Sequence, residues 1–300
     1  MKILSFKDLT SKTSKAAFIA NLGNSLQNTG FVALRDHDLD TAYLSKCYKV
    51  AEDFFLLKEE IKKKYEDESI AGQRGFISFG KETAKGSSIS DIKEFWHVGR
   101  EGNTPANIWP AEIAEFKDTF LDMYAKLDKM GEQLLAAIAL HLDLPEETFT
   151  KITSNGESIL RLLHYPPLAG NYKAGAVRAA AHTDINFITM LVTSSADGLQ
   201  VQDRQGNWVD APKDKNLIIV DCGDMIENMT NGILPATPHR VVNPNTDDAR
   251  RFSMPFFMHA RLDQRIDPLP QMIEKVGEKN FRDLTAGEYL DERLRELGLK

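Results

Sequence analysis

Within the stretch AAHTDINFITML, residues 180–191, His182 and Asp184 are separated by one residue. Residues i and i+2 of an extended strand project to one face. The spacing therefore predicts an imidazole and a carboxylate side by side, with Asn186 next and Ile188, Met190 and Val192 continuing that face into an apolar interior. An ionised carboxylate in such a place needs a cation, a salt bridge or solvent. Taken alone, such a common triplet reads more readily as a wet strand end or a hydrogen-bonded core histidine. A third candidate lies downstream: His239 in PATPHRVVN. Two histidines and one carboxylate form the facial set that holds non-haem Fe(II) and leaves neighbouring coordination positions open.

Arg251 and Ser253 follow in RRFSMPFF. A guanidinium can grip a carboxylate through two parallel hydrogen bonds, and a hydroxyl two residues along the strand faces the same way. Arg250 should point to the opposite face.

His-x-Asp, then His, then Arg-x-Ser, in that order, resembles the iron(II)- and 2-oxoglutarate-dependent dioxygenases of the isopenicillin N synthase-like family. The likeness runs from GFVALRDH through NIWP and LRLLHYPP to RRFSMPFF. It implies a mainly β fold with flanking helices, a double-stranded β-helix (jelly roll) with a helical N-terminal region and a C-terminal helix. His182, Asp184 and His239 would be the iron ligands. The cosubstrate 2-oxoglutarate would chelate the metal and meet Arg251, Ser253 and Tyr165. With O2, oxidative decarboxylation to succinate would be coupled to C–H oxidation, chiefly hydroxylation, of a small molecule. Retention of Asp184, where halogenases of the wider superfamily carry a small residue, fits hydroxylation, desaturation or ring chemistry. Substrate contacts would fall on Asn186, Phe257, Arg74, Phe76 and Phe79, and a cation such as Arg74 would suit an acidic or amino-acid-like molecule. One departure stands out: Leu163 occupies the place where plant members carry Asn two residues before the tyrosine. An oxidase or cyclase of isopenicillin N synthase type, which keeps this motif set without 2-oxoglutarate, stays open, as does a non-catalytic jelly-roll binding protein.

Other candidate ligands carry less. Glu94 and His97 in KEFWH have the E-x-x-H spacing of di-iron helix bundles, which need two copies. His37, His141, His164 and His259 have no ligand-spaced partner, and His164 should face away from any site containing Tyr165. Cys47 and Cys222 stand far apart in apolar settings, so neither a disulfide framework nor a cysteine zinc site is expected.

The elements that must position these residues occupy a chain of 300 residues with net charge −7 and interleaved lysines and glutamates. That distribution offers no basic surface for nucleic acid. No apolar run is long enough to be a signal peptide or a membrane span, so a cytoplasmic protein is expected. The spacing predicts helices over 14–29, stopped at Gly30, and from Asp40 to about Tyr65, the charge run KEEIKKKYEDE being a solvated helix face. Residues 71–108 read as loop, and a long helix runs from Pro110 to about Leu142. After residue 157 the period switches to two, with short strands separated by turns such as RQGN at 204–207. Thr285 and Glu288 form a capping box for a final helix. The expected division is a helical region over 1–156 that adds a substrate-side loop, a catalytic jelly roll over 157–262 and a helical segment over 263–300, all in one compact unit.

Overall fold

The computed structural model describes residues 1–81, 91–167, 177–192, 197–212, 214, 216–243 and 250–296. Residues 82–90 of the expected loop and 297–300 of the expected C-terminal segment lie outside these. In chain order the elements are β1 (Lys2–Ser5), α1 (Lys15–Thr29), β2 (Phe31–Arg35), α2 (Thr41–Phe55), α3 (Glu59–Lys62), β3 (Gly75–Ile77), β4 (Glu94–Gly99), α4 (Phe116–His141), α5 (Thr150–Thr153) and β5 (Ile159–Tyr165). Then follow β6 (Ala179–His182), β7 (Ile188–Val192), β8 (Leu199–Gln202), β9 (Trp208–Asp210), β10 (Ile218–Cys222), α6 (Asp224–Met229), β11 (His239–Val241), β12 (Arg251–Met258), α7 (Pro270–Val276) and α8 (Ala286–Glu296).

The strands form an eight-stranded sheet in the order β1-β2-β10-β7-β12-β5-β4-β3 and a four-stranded sheet in the order β6-β11-β8-β9. Together they make the expected jelly roll. Strand alternation sorts the large sheet into two faces. Leu160, Leu162, Ile188, Met190, Val192, Met254, Phe256 and Met258 pack into one core with the stripe of α4, including Phe120, Met123, Leu127 and Leu134. The opposite face looks toward the smaller sheet, where Phe31, Ile219 and Ala211 pack with Leu191, Leu199 and Val201.

Several boundaries differ from the sequence reading. HTDINFITMLVT is not one strand: β6 ends at His182 in the small sheet and β7 begins at Ile188 in the large one. Crossing between sheets turns Ile188, Met190 and Val192 to the helix side, so they do not continue the His182–Asp184 face. The long helix starts at Phe116 rather than Pro110; the preceding segment is tied down instead, with the backbone N–H of Ala111 donating to the Tyr65 hydroxyl at 2.9 Å. The helix from Asp40 stops at Phe55, and in the following charge run Lys62 is buried against Glu94. Residues 1–156 supply β1–β4 of the main sheet as well as helices.

Other punctuation falls where expected. Gly30 closes α1 with φ 67°, a left-handed conformation that suits glycine, and any Cβ there would collide with Thr237. The Thr285 hydroxyl accepts from the Glu288 N–H at 3.1 Å, while the Glu288 carboxylate accepts from the Thr285 N–H at 2.7 Å.

Candidate metal centre

The strand end of β6, the crossover after it and the start of β11 bring His182, Asp184 and His239 together. One ligand atom from each lies within 4.8 Å of the others, and among the described residues this is the one such group. Both imidazole Nε2 atoms stand 3.7 Å from the same carboxylate oxygen, Asp184 Oδ1.

Hydrogen bonding prepares each group as a ligand. His182 Nδ1 lies 2.8 Å from the Ala180 carbonyl and His239 Nδ1 lies 3.4 Å from the Thr237 carbonyl. A carbonyl can only accept, so Nδ1 carries the proton in both rings and each Nε2 is directed at the centre. The Thr189 hydroxyl donates to Asp184 Oδ2, which leaves Oδ1 to face the histidines. Burial, then the neighbouring His182, pushes the His239 pKa down to about 4, so it is a neutral imidazole near pH 7. Two imidazoles and one buried carboxylate form a donor set that fits a divalent iron.

The loop carrying Asp184 is clamped through its backbone. The Asp184 carbonyl accepts from the Asp224 N–H at 2.7 Å, the Asn186 carbonyl from Met225 at 3.1 Å and the Phe187 carbonyl from Gly223 at 3.0 Å. Asp224 is held in turn by the Tyr289 hydroxyl of α8 at 2.8 Å.

Behind the triad lies a cavity of about 590 Å³, part of it open to solvent, lined by both sheets. Arg251 and Ser253 line it, both about 1% exposed, with Arg251 Nη1 3.1 Å from the Ser253 hydroxyl. Tyr165, the Cα partner of Arg251 across β5–β12, lines it too, its ring centroid 4.9 Å from the guanidinium carbon. Leu163 faces the cavity opposite Ser253.

The five expected substrate contacts separate. Phe257 lines the cavity. Asn186 does not: it is fully buried, and its amide donates to the Ile188 carbonyl and the Thr189 hydroxyl. Arg74 lies where a Cβ on Gly99 would collide with it and pairs with Glu157 at 3.9 Å. Phe76 packs edge-on to Phe54 in the helix-side core, and Phe79 is 43% exposed and does not line the cavity. These four therefore leave the expected substrate wall.

Other cavity residues went unnoticed in the sequence: Lys93, paired with Asp91 at 2.8 Å, Arg161, Thr189 and Asp221. Asp221 is buried beside Thr189, and its pKa is raised by burial and then by the charge of Asp184. Glu94 and His97 do not act together. An odd separation along β4 sends Glu94 to Lys62 and His164 on the helix side, while His97 sits against Arg161.

Comparison with known proteins agrees with this geometry. Residues 156–260 match the profile of the 2OG-Fe(II) oxygenase superfamily, and residues 1–112 match the N-terminal profile of the non-haem dioxygenases in morphine synthesis. The chain is 30% identical to proline hydroxylase buaE of Petromyces alliaceus, over 93% of this chain and 92% of that one. A crystal structure of a 2OG-Fe(II) oxygenase family protein from Caulobacter crescentus superposes with a TM-score of 0.87 at 40% identity, covering 98% of both chains. A full-length Neurospora crassa protein crystallised in complex with alpha-KG and thymine superposes with a TM-score of 0.89 at 27% identity, over 98% of this chain and 96% of that one.

Proposed function

Because the chain belongs to the 2OG-Fe(II) oxygenase superfamily, we propose that it hydroxylates a C–H bond of a small molecule, with His182, Asp184 and His239 holding the metal and Arg251, Ser253 and Tyr165 holding 2-oxoglutarate. It is an Fe(II)- and 2-oxoglutarate-dependent oxygenase. When bound, iron with O2 and 2-oxoglutarate supplies the oxidising power, and the cosubstrate leaves as succinate and CO2.

The observation that carries the site assignment is that both histidine Nε2 atoms converge on one oxygen of one buried carboxylate. The protein's own contributions follow from the neighbours described above. Carbonyls at Ala180 and Thr237 fix the ring tautomers, and Thr189 orients the carboxylate. The buried Arg251 guanidinium and Ser253 hydroxyl offer a charged, hydrogen-bonding end for the distal carboxylate of a dicarboxylate. Apolar side chains, among them Phe31, Leu191 and Ile219, keep water away from the reacting groups. A relative that bears the name proline hydroxylase and the Neurospora crassa protein bound to thymine support a small-molecule substrate. No helix among the described residues is long and apolar enough to cross a membrane, and Cys47 and Cys222 are buried free thiols, which supports a cytoplasmic setting.

Anaerobic addition of Fe(II) and 2-oxoglutarate to the wild-type protein should produce a weak visible charge-transfer band, and His182→Ala should abolish it. A band that survives this substitution would overturn the ligand assignment. Succinate release that depends on an added small molecule tests the hydroxylase reading, and product formed without 2-oxoglutarate would contradict it.

A further inference from the structure

We infer that Asp221 recognises the substrate, and that the substrate is a small molecule presenting a neutral N–H to it, such as a cyclic amide. This inference rests on the proposed metal and cosubstrate sites.

Strand pairing sets Phe31, Asp221, Thr189 and Phe257 in one row across β2, β10, β7 and β12, and all four line the cavity. Both neighbours of Asp221 on this row touch the metal ligands. The Phe31 ring meets His239 edge-on with centroids 5.8 Å apart, and the Thr189 hydroxyl donates to Asp184. Arg251 lies six residues along β12 from Phe257, about 20 Å at the usual rise per residue. The cosubstrate anchor and the row therefore serve different ends of the cavity, and the row faces a second molecule. Asp221 and Phe257 are two strands apart, roughly 10 Å across the sheet, so a molecule lying between them must be small.

Along this row one acceptor is left over. Thr189 gives its single hydroxyl proton to Asp184, and its oxygen receives the Asn186 amide at 3.0 Å. Asp221 is 4% exposed and also hydrogen-bonds the Thr189 side chain, but its Oδ1 has no hydrogen-bond partner among the described residues. Rotation about χ2 exchanges the two carboxyl oxygens between wall and cavity, so a bare acceptor can turn to a molecule on the row. A buried acceptor left unmet is costly, and a ligand N–H meets it.

Charge decides which N–H. Burial and then the charge of Asp184 favour the protonated carboxyl, which still keeps one carbonyl oxygen as acceptor. An ammonium group would in addition be repelled by a divalent metal held just beyond Thr189. A neutral amide N–H avoids both penalties, and the Phe31 and Phe257 rings at the ends of the row offer apolar surface to the rest of the molecule.

The test uses the anaerobic protein loaded with Fe(II) and 2-oxoglutarate. It is titrated with 2-pyrrolidinone, 2-piperidone and ε-caprolactam, and with cyclopentanone, cyclohexanone and cycloheptanone, which replace the N–H by CH2 at the same ring size. At least one lactam should shift the charge-transfer band and bind at least about fivefold more tightly than its ketone. Asp221→Asn, which keeps a carbonyl acceptor, should hold the lactam dissociation constant within about threefold. Asp221→Leu should raise it at least about tenfold and leave the ketone within about threefold. Asp221→Ala, which adds no bulk to the cavity wall, should remove the lactam preference as well. Melting temperature and the band before any probe is added check that each variant is folded and metal-loaded. The proposal is overturned if no lactam shifts the band, if ketones bind as tightly as lactams at every ring size, if Asp221→Asn loses lactam binding as far as Asp221→Leu does, or if either folded apolar variant keeps the lactam preference. Loss of the probe-free band in both apolar variants would show Asp221 supporting the metal instead, and would overturn it too. A wild-type protein with no band would overturn the metal-centre reading itself, and this inference with it.

Discussion

His239 and His182 are direct Cα partners across the β6–β11 ladder, and their ring centroids lie 4.4 Å apart. The two imidazoles are thus fixed by strand pairing, whereas Asp184 arrives on a crossover between sheets. Removing the carboxylate should leave both rings in place. Asp184→Ala should lower Co(II) affinity by more than about 100-fold. Thr189→Val, which removes only the hydroxyl that orients Asp184, should cost about 10–100-fold. Metal titration followed by the Co(II) d–d spectrum measures both, and equal losses would mean that Thr189 does more than orient.

A longer brace runs from the backbone of Asp184 to the C-terminal helix. The Asp184 carbonyl is held by Asp224, and the Asp224 carboxylate by the Tyr289 hydroxyl. Tyr289→Phe keeps the ring packing and deletes one hydrogen bond worth about 1 kcal/mol. The expected result is a Co(II) affinity about fivefold weaker with secondary structure unchanged. A lowered melting temperature with unaltered affinity would show that the brace holds α8 and not the metal loop.

Arg250 and Arg251 are neighbours in sequence on opposite faces. Arg251 is buried in the cavity, while Arg250 is exposed and acts electrostatically on His164 on the other side of the sheet. Arg251→Ala should weaken 2-oxoglutarate binding by at least about thirtyfold, the lower end of what truncating a buried charge partner does. Arg250→Ala should change it by less than about twofold. Calorimetric titration of 2-oxoglutarate into the Mn(II) form gives both values. Comparable losses would contradict the cosubstrate assignment of Arg251.

The motif residues were legible because their chemistry is carried by residue type and short spacing: the helix stop at Gly30, the capping box at Thr285 and the alternation of Arg250 and Arg251 all act within a few residues. The His182–Asp184 pairing was expected for a reason that does not apply, since Asp184 follows the end of β6 and its place is set by bonds to residues 223–225. No local pattern encodes such a long-range backbone clamp. Arg161 and Lys93 were missed for a related cause. A charged residue in an otherwise apolar strand reads as an edge or a solvent face until the pairing of β4, β5 and β12 shows which side is enclosed. The faces of Glu94 and His97 became readable only once that stretch was known to be a strand rather than a loop.

His164 provides a test on the far side of the same sheet. It is 5% exposed, stacked on Phe252 at 4.9 Å and tilted over Phe55, and its Nδ1 donates to Glu94 at 2.7 Å. Glu94 is also paired with Lys62 at 2.6 Å, and Arg250 acts on the ring from outside. The His164 Nε2 is buried with no hydrogen-bond partner among the described residues, so a second ring proton would be left unsatisfied. Burial, opposed by Glu94, lowers the His164 pKa below its ordinary value of 6.5. Below that value the unfolded chain binds a proton that the folded ring does not, so this group's contribution to stability falls as pH falls. Its slope is at most about 1.4 kcal/mol per pH unit. Asn at this position places an amide donor where Nδ1 stood and has no titrating group. Denaturant unfolding of the wild type and His164→Asn at pH 7.5 and 5.5 should show the wild type losing more stability on acidification. Parallel losses would mean that His164 protonates as readily in the fold as in the unfolded chain.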